Sequence, residues 1–145
     1  MNRLMKYRSI LIVIVLFSLF LSNSTSLSVI KAAGDTLYIS PSGDDIAGNG
    51  SIGNPWVTFT KANTVAGSGD TVIVRAGTYN EIVTCVAGVT YKNYSGETPV
   101  VDGYGLVAGW NGLVRINDKN YITWDGIKVY RSDGTGLGIF GDSTY

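Results

Sequence analysis

Asp44 and Asp45 stand side by side in a stretch rich in Gly, Asn and Ser, and Asp102 and Asp125 each stand directly before a glycine. Clustered carboxylate oxygens are what a hard cation such as calcium needs. The run DDIAGNG at 44–50 lacks the D-x-D-x-D-G spacing and the closing Glu of a calcium loop, so a solvated turn is the better reading. Asp102 and Asp125 could serve as acid–base or metal carboxylates. An Asp-Gly pair also suits a chain corner, where Gly tolerates the turn and Asp accepts from backbone amides, and that reading is favoured. Lys92, Arg115, Lys128 and Arg131 could flank an acidic ligand, or simply solvate strand edges. There is no histidine, which removes His-dependent chemistry from these residues, and Cys85 is the single cysteine. Without a second thiol no disulfide framework forms within the chain, and the flanks Val83, Thr84 and Val86 mark Cys85 as a small buried residue.

The elements that would position these groups are read outward from residues 69–81, GDTVIVRAGTYNE. Val72 and Val74 share one face of an extended run, and Thr71, Ile73 and Arg75 share the other. Turns at Gly69-Asp70 and Ala76-Gly77 bound it, and the chain bends again within a few residues at later strands. That rhythm predicts a coiled sheet. Residues 36–40 read as a first strand and 41–53 as a loop. Over 58–66, Phe59, Ala62, Val65 and Ala66 fall on one helical face, with Pro55 ahead and Gly67 as a stop. Thr58, Thr60, Asn63 and Thr64 are poor helix formers, so this helix depends on packing. An apolar helix there would cap the open end of the sheet. Trp56 is read as part of that cap in preference to a sugar platform.

Residues 89–94 align with 122–127 at an offset of 33, and residues 104–112 (YGLVAGWNG) look like an inserted loop. Without the insert the period is about 24, a plausible length for one turn of a solenoid. A competing register sets 101–103 against 124–126; the first matches at more positions. In either, Ile122 and Trp124 are out of step with Ile127 and Val129, so the strand must bend at Asp125-Gly126. The expected interior is Val72, Val74, Val89, Tyr91, Val101, Val114, Ile116, Ile122, Trp124, Ile127 and Val129. Tyr91 and Trp124 need polar partners at their tips. Residues 136–140 look like a further strand beginning, which leaves the solenoid incomplete at its C-terminal end.

Four motifs occur in order: SPSGDD at 40–45, GNPWVTF at 53–59, GDTVIVRAGTYNE at 69–81 and GETPVVDG at 96–103. Together they resemble the N-terminal part of secreted right-handed parallel β-helix proteins of the pectate-lyase-like superfamily, nearest to polysaccharide lyase family nine and its relatives of unknown function. The resemblance implies an all-β, right-handed parallel β-helix of two to three coils with a short N-terminal capping helix. It also implies β-elimination in uronate polymers, with calcium and a basic side chain acting in the full-length protein. In that branch those groups lie on later coils, so no catalytic or metal-binding residue is carried over to this chain, which alone is expected to be inactive.

Composition sets the remaining limits. The chain has 145 residues, 45% hydrophobic and 15% charged with 19 Gly, which allows one domain and favours β structure. Arg3, Lys6 and Arg8 precede an almost unbroken apolar run over 10–21, the pattern of a secretory signal cleaved after Ala32. That run is shorter than the ~20 residues a membrane span needs. The chain thus divides into a signal peptide, 1–32, and a β-helix segment, 33–145, placed outside the cell or at its surface. Removing the leader leaves seven basic against eleven acidic residues, which argues against nucleic acid or an anionic membrane as partner. An acidic polysaccharide remains the expected partner. Three functions stay open: a polysaccharide lyase, a non-catalytic glycan-binding or adhesin-type β-helix, and a glycoside hydrolase on the same scaffold.

Overall fold

Short β-branched runs between glycine turns become strands, and in the computed structural model every pairing between them is parallel. The structure describes residues 34–117 and 120–141, all within the unit Ala32–Tyr145. The leader expected over 1–32 lies outside the described residues. The strands are β1 (Thr36–Ile39), β2 (Thr71–Val74), β3 (Thr78–Tyr79), β4 (Val83–Thr84), β5 (Thr90–Asn93), β6 (Val100–Asp102), β7 (Val114–Asn117), β8 (Thr123–Asp125), β9 (Lys128–Tyr130) and β10 (Leu137–Phe140). They form three sheets, ordered β1-β2-β5-β8, β3-β6-β9 and β4-β7-β10. From β2 onward the chain visits the three sheets in rotation, so each strand lies beside the one three places earlier. The protein is all-β with parallel sheets, as expected.

The register stacks like on like. Leu37, Val72, Tyr91 and Trp124 are successive partners across the first sheet, and Tyr79, Val101 and Val129 across the second. Tyr91 opposite Trp124 is the 33-residue register; the competing register fails, because Val101 pairs with Tyr79 and Val129. The spacing between partners is not a fixed 24, since connections between strands differ in length from layer to layer. Gly126, at φ +67°, separates β8 in the first sheet from β9 in the second, so the bend at Asp125-Gly126 is a corner between sheets.

Of the expected interior, Val72, Val74, Val89, Tyr91, Val101, Val114 and Ile127 are buried. Ile116, Ile122, Trp124 and Val129 are a correction: they pack against the core but stay partly exposed. Ile122, Trp124 and Val129 do so because no further strand pairs beyond β8 and β9 among the described residues, whereas Ile116 is partly exposed although β10 pairs with its strand. Burying each aliphatic side chain contributes on the order of 1.5–3 kcal/mol. Phe59 joins this core, its ring centroid 5.3 Å from Tyr79 and 5.6 Å from Trp124. The polar tips are satisfied within it. Tyr91 donates its hydroxyl proton to Asn63 Oδ1 at 2.8 Å and accepts from the Val86 amide at 2.9 Å, while Trp124 Nε1 donates to the Ile127 carbonyl at 3.1 Å.

The capping helix α1 spans Phe59–Asn63, shorter than the expected 58–66. Thr58 caps its start by accepting from the Lys61 amide, and the Glu81 carboxylate accepts from the Phe59 and Thr60 amides. The Thr64 hydroxyl donates to the Lys61 carbonyl at 2.7 Å as the helix ends. Such local hydroxyl bonds compete with the helical ladder. Phe59, Ala62 and Ala66 are buried as expected, but Val65 is 54% exposed because the chain has left the helix by then. Trp56 is buried, its Nε1 donating to the Gly48 carbonyl at 2.9 Å, so it is part of the cap and not a sugar platform.

Candidate functional site

The carboxylates hold the backbone together. Asp44 Oδ1 accepts from the Ile46 and Ala47 amides, closing the turn expected there, and those amides hold its carboxyl below the usual range. Asp45 spends both oxygens on the Val57 amide and on the amide and hydroxyl of Thr58. The pair therefore does not fit a calcium ion. Among the described residues no group of three or more His, Cys, Asp or Glu is placed to hold a metal. Asp102 accepts from the Tyr104 amide at its corner and forms an ion pair with Arg131. Glu97 pairs with Arg75 at 2.8 Å and accepts from the Ala76 amide. The arginine in each pair holds the carboxyl below its ordinary pKa. Asp125 lies 3.8 Å from Lys92 across the first sheet. Carboxyls held down by an arginine, as those of Asp102 and Glu97 are, are poorly tuned as general acids near neutral pH.

The four basic residues read as flanking an acidic ligand do not come together. Lys92 lies on β5 in the first sheet, Arg115 on β7 in the third, and Lys128 on β9 in the second, with Arg131 just after it. Arg115 donates to the Gly112 and Ala108 carbonyls, bracing a loop. Cys85 is buried, and burial pushes its thiol up to about 12, far from a reactive thiolate.

What the fold does assemble is a pair of loops that make the same crossing, from the second sheet to the third, in successive layers. Residues 103–113 join β6 to β7, and 131–136 join β9 to β10; the equivalent link between β3 and β4 is only residues 80–82. Asp133 Oδ1 accepts from the Ala108 and Gly109 amides at 2.9 and 3.2 Å, and the Thr135 amide donates to the Gly109 carbonyl. Between the loops lies a cleft of about 440 Å³ lined by Gly109, Trp110, Asp133, Gly134 and Thr135. Trp110 is 88% exposed.

At the root of the loops, Arg131 has φ +50°, a backbone region costly for a residue with a side chain. Its guanidinium is held by Asp102 and lies 4.6 Å from the Tyr104 ring centroid and 5.3 Å from that of Tyr130. Both tyrosines are exposed. Sequence reasoning marked 104–112 as an insert but passed over Tyr104, Trp110, Tyr130 and Asp133. The available signal was aromatic side chains between glycines in a segment the repeat did not need.

Fold and loops together define an all-β protein of parallel sheets, with Tyr104 and Trp110 exposed on one crossing from the second sheet to the third and Tyr130 exposed where the next such crossing begins. No family model matches the chain. It is 32% identical to the uncharacterized protein YwoF of Bacillus subtilis (strain 168) over 123 residues, an alignment covering 76% of this chain and 26% of that protein. The chain thus spans about a quarter of the length of that relative. A solved structure of XylC in complex with xylose aligns over 47% of this chain and 12% of its own, at 36% identity and a TM-score of 0.44.

Proposed function

We propose that this chain is the N-terminal segment of a secreted, right-handed parallel β-helix protein that binds carbohydrate in the cleft between residues 103–113 and 131–136. The observation that carries the reading is Trp110, largely exposed on a loop braced by Asp133 and Arg115, beside a carboxylate and a hydroxyl. An aromatic face offers the apolar face of a sugar ring a broad surface, and a few fixed polar groups orient its hydroxyls. The rotation of the chain through three parallel sheets supports the β-helix. The outer edges of β8, β9 and β10 have no strand partner among the described residues, and Leu137, Ile139 and Phe140 on β10 are exposed. Such an edge accepts further layers. Secretion rests on the leader pattern.

Retardation of the protein in native gels containing single polysaccharides tests the binding reading. Slowed migration in at least one glycan, relieved by Trp110→Ala, is expected; no retardation across neutral and uronate polymers sinks it. The four-motif resemblance favours a second reading, β-elimination of pectate-like polymers by the full-length protein, with the reacting groups on later layers. Full-length protein incubated with polygalacturonate and calcium would then produce the absorbance of an unsaturated product, and its absence across several uronate polymers removes the lyase.

A further inference from the structure

Resting on the carbohydrate reading, the cleft's charges narrow what it accepts: we infer that it takes neutral sugar units and turns away uronates. Of the five residues lining it, Asp133 alone is charged. Its Oδ1 is occupied by the Ala108 and Gly109 amides, while Oδ2 accepts from no group among the described residues. A free carboxylate oxygen only accepts hydrogen bonds, so it suits sugar hydroxyls, which donate. A uronate carboxylate brings a second acceptor-only group of the same sign, which must lose its water without gaining a donor.

The nearby cations do not reverse this. Arg131, two residues before Asp133, is half-exposed, but its guanidinium is already paired with the Asp102 carboxylate and lies against the rings of Tyr104 and Tyr130. Arg115 directs its donors to the Ala108 and Gly112 carbonyls and is not among the cleft-lining residues. The aromatic contact from Trp110 is indifferent to charge, so the aromatic face supplies affinity and Asp133 supplies the selection. Uronate chemistry in the full-length protein would then take place elsewhere than in this cleft.

The test compares one polymer in two charge states, methyl-esterified and de-esterified polygalacturonate, with neutral xylan as a third ligand. Binding to the full chain is followed by calorimetry at low and high salt. The esterified polymer and xylan are expected to bind at least about tenfold more tightly than the de-esterified polymer, a difference of about 1.4 kcal/mol. High salt should narrow that gap, since screening weakens exposed like-charge repulsion. Asp133→Asn, whose Oδ1 still accepts from the two loop amides, should bring the charged and neutral ligands within about threefold. Trp110→Ala should weaken all three. Equal affinities, or tighter binding of the de-esterified polymer, overturn charge selection while leaving carbohydrate binding intact. A gap untouched by Asp133→Asn also overturns it. No binding of any ligand overturns the carbohydrate reading itself.

Discussion

At the residue scale, the acidic side chains of this protein are fasteners. Asp45, Glu81, Asp102 and Asp133 each accept a backbone amide at least twelve residues away or an arginine from the next layer, tying loops to strands. Both oxygens of Asp45, Glu81 and Asp102 are thereby engaged in the fold, while Asp133 keeps Oδ2 for the cleft. The consequence is a defined acid limb. Asp102 and Glu97 have their folded pKa values lowered by Arg131 and Arg75, from ordinary values of 3.8 and 4.5. A lowered folded pKa contributes stability above the unfolded value, and that contribution is lost as pH falls through the folded one. Urea midpoints should therefore drop on acidification below about pH 4.5, and Asp102→Asn should flatten that drop while lowering the neutral-pH midpoint. An unchanged acid limb in the variant would show that the Arg131 pair does not couple to folding.

At the element scale, corners decide where each sheet ends. Gly126 sits at φ +67°, and a Cβ there would lie 2.2 Å from Asn93 Oδ1, on a side chain that already donates to the Glu97 carbonyl. Gly96 has a similar φ of +77° with nothing within 4 Å of the added atom. The pair separates conformation from contact. Gly96→Ala should cost about 1–2 kcal/mol from the left-handed backbone alone. Gly126→Ala should cost more, because it also breaks the Asn93 bond. Thermal melts of both variants measure the difference, and equal losses would mean Asn93 moves aside freely. The corner at Asp125-Gly126 was legible in the sequence because side-chain parity reversed across it. The length of α1 was not, because a run of threonines left the helix to be ended by hydroxyl bonds such as that of Thr64 to Lys61.

At the scale of the whole molecule, the two ends of the sheets differ. At one end Trp56, Phe59 and Ala62 are buried under the loop and α1. At the other, β10 presents Leu137, Ile139 and Phe140 to solvent, with Tyr130 exposed on β9. Exposed apolar side chains on a strand that ends its sheet take up hydrophobic dyes and promote association. Residues 33–145 made alone should bind such a dye or self-associate, and replacing Leu137, Ile139 and Phe140 with threonine should reduce both. A monomer that melts cooperatively and ignores the dye would count against further layers on that edge.

By itself, the sequence determined the strands around Val72 and Val74, the pairing of Tyr91 with Trp124, the turn at Asp44 and the burial of Cys85. Each of these is local, or repeats closely enough for periodicity to reveal it. Only the tertiary structure decided which layer each side chain belongs to, and therefore that Lys92, Arg115 and Lys128 stand on three separate sheets. It also decided that Trp110 and Asp133, 23 residues apart, share one cleft. Parallel pairing is the reason. Connections of unequal length must return to the same edge, so proximity across layers is set by the accumulated lengths of those loops, which no local pattern encodes.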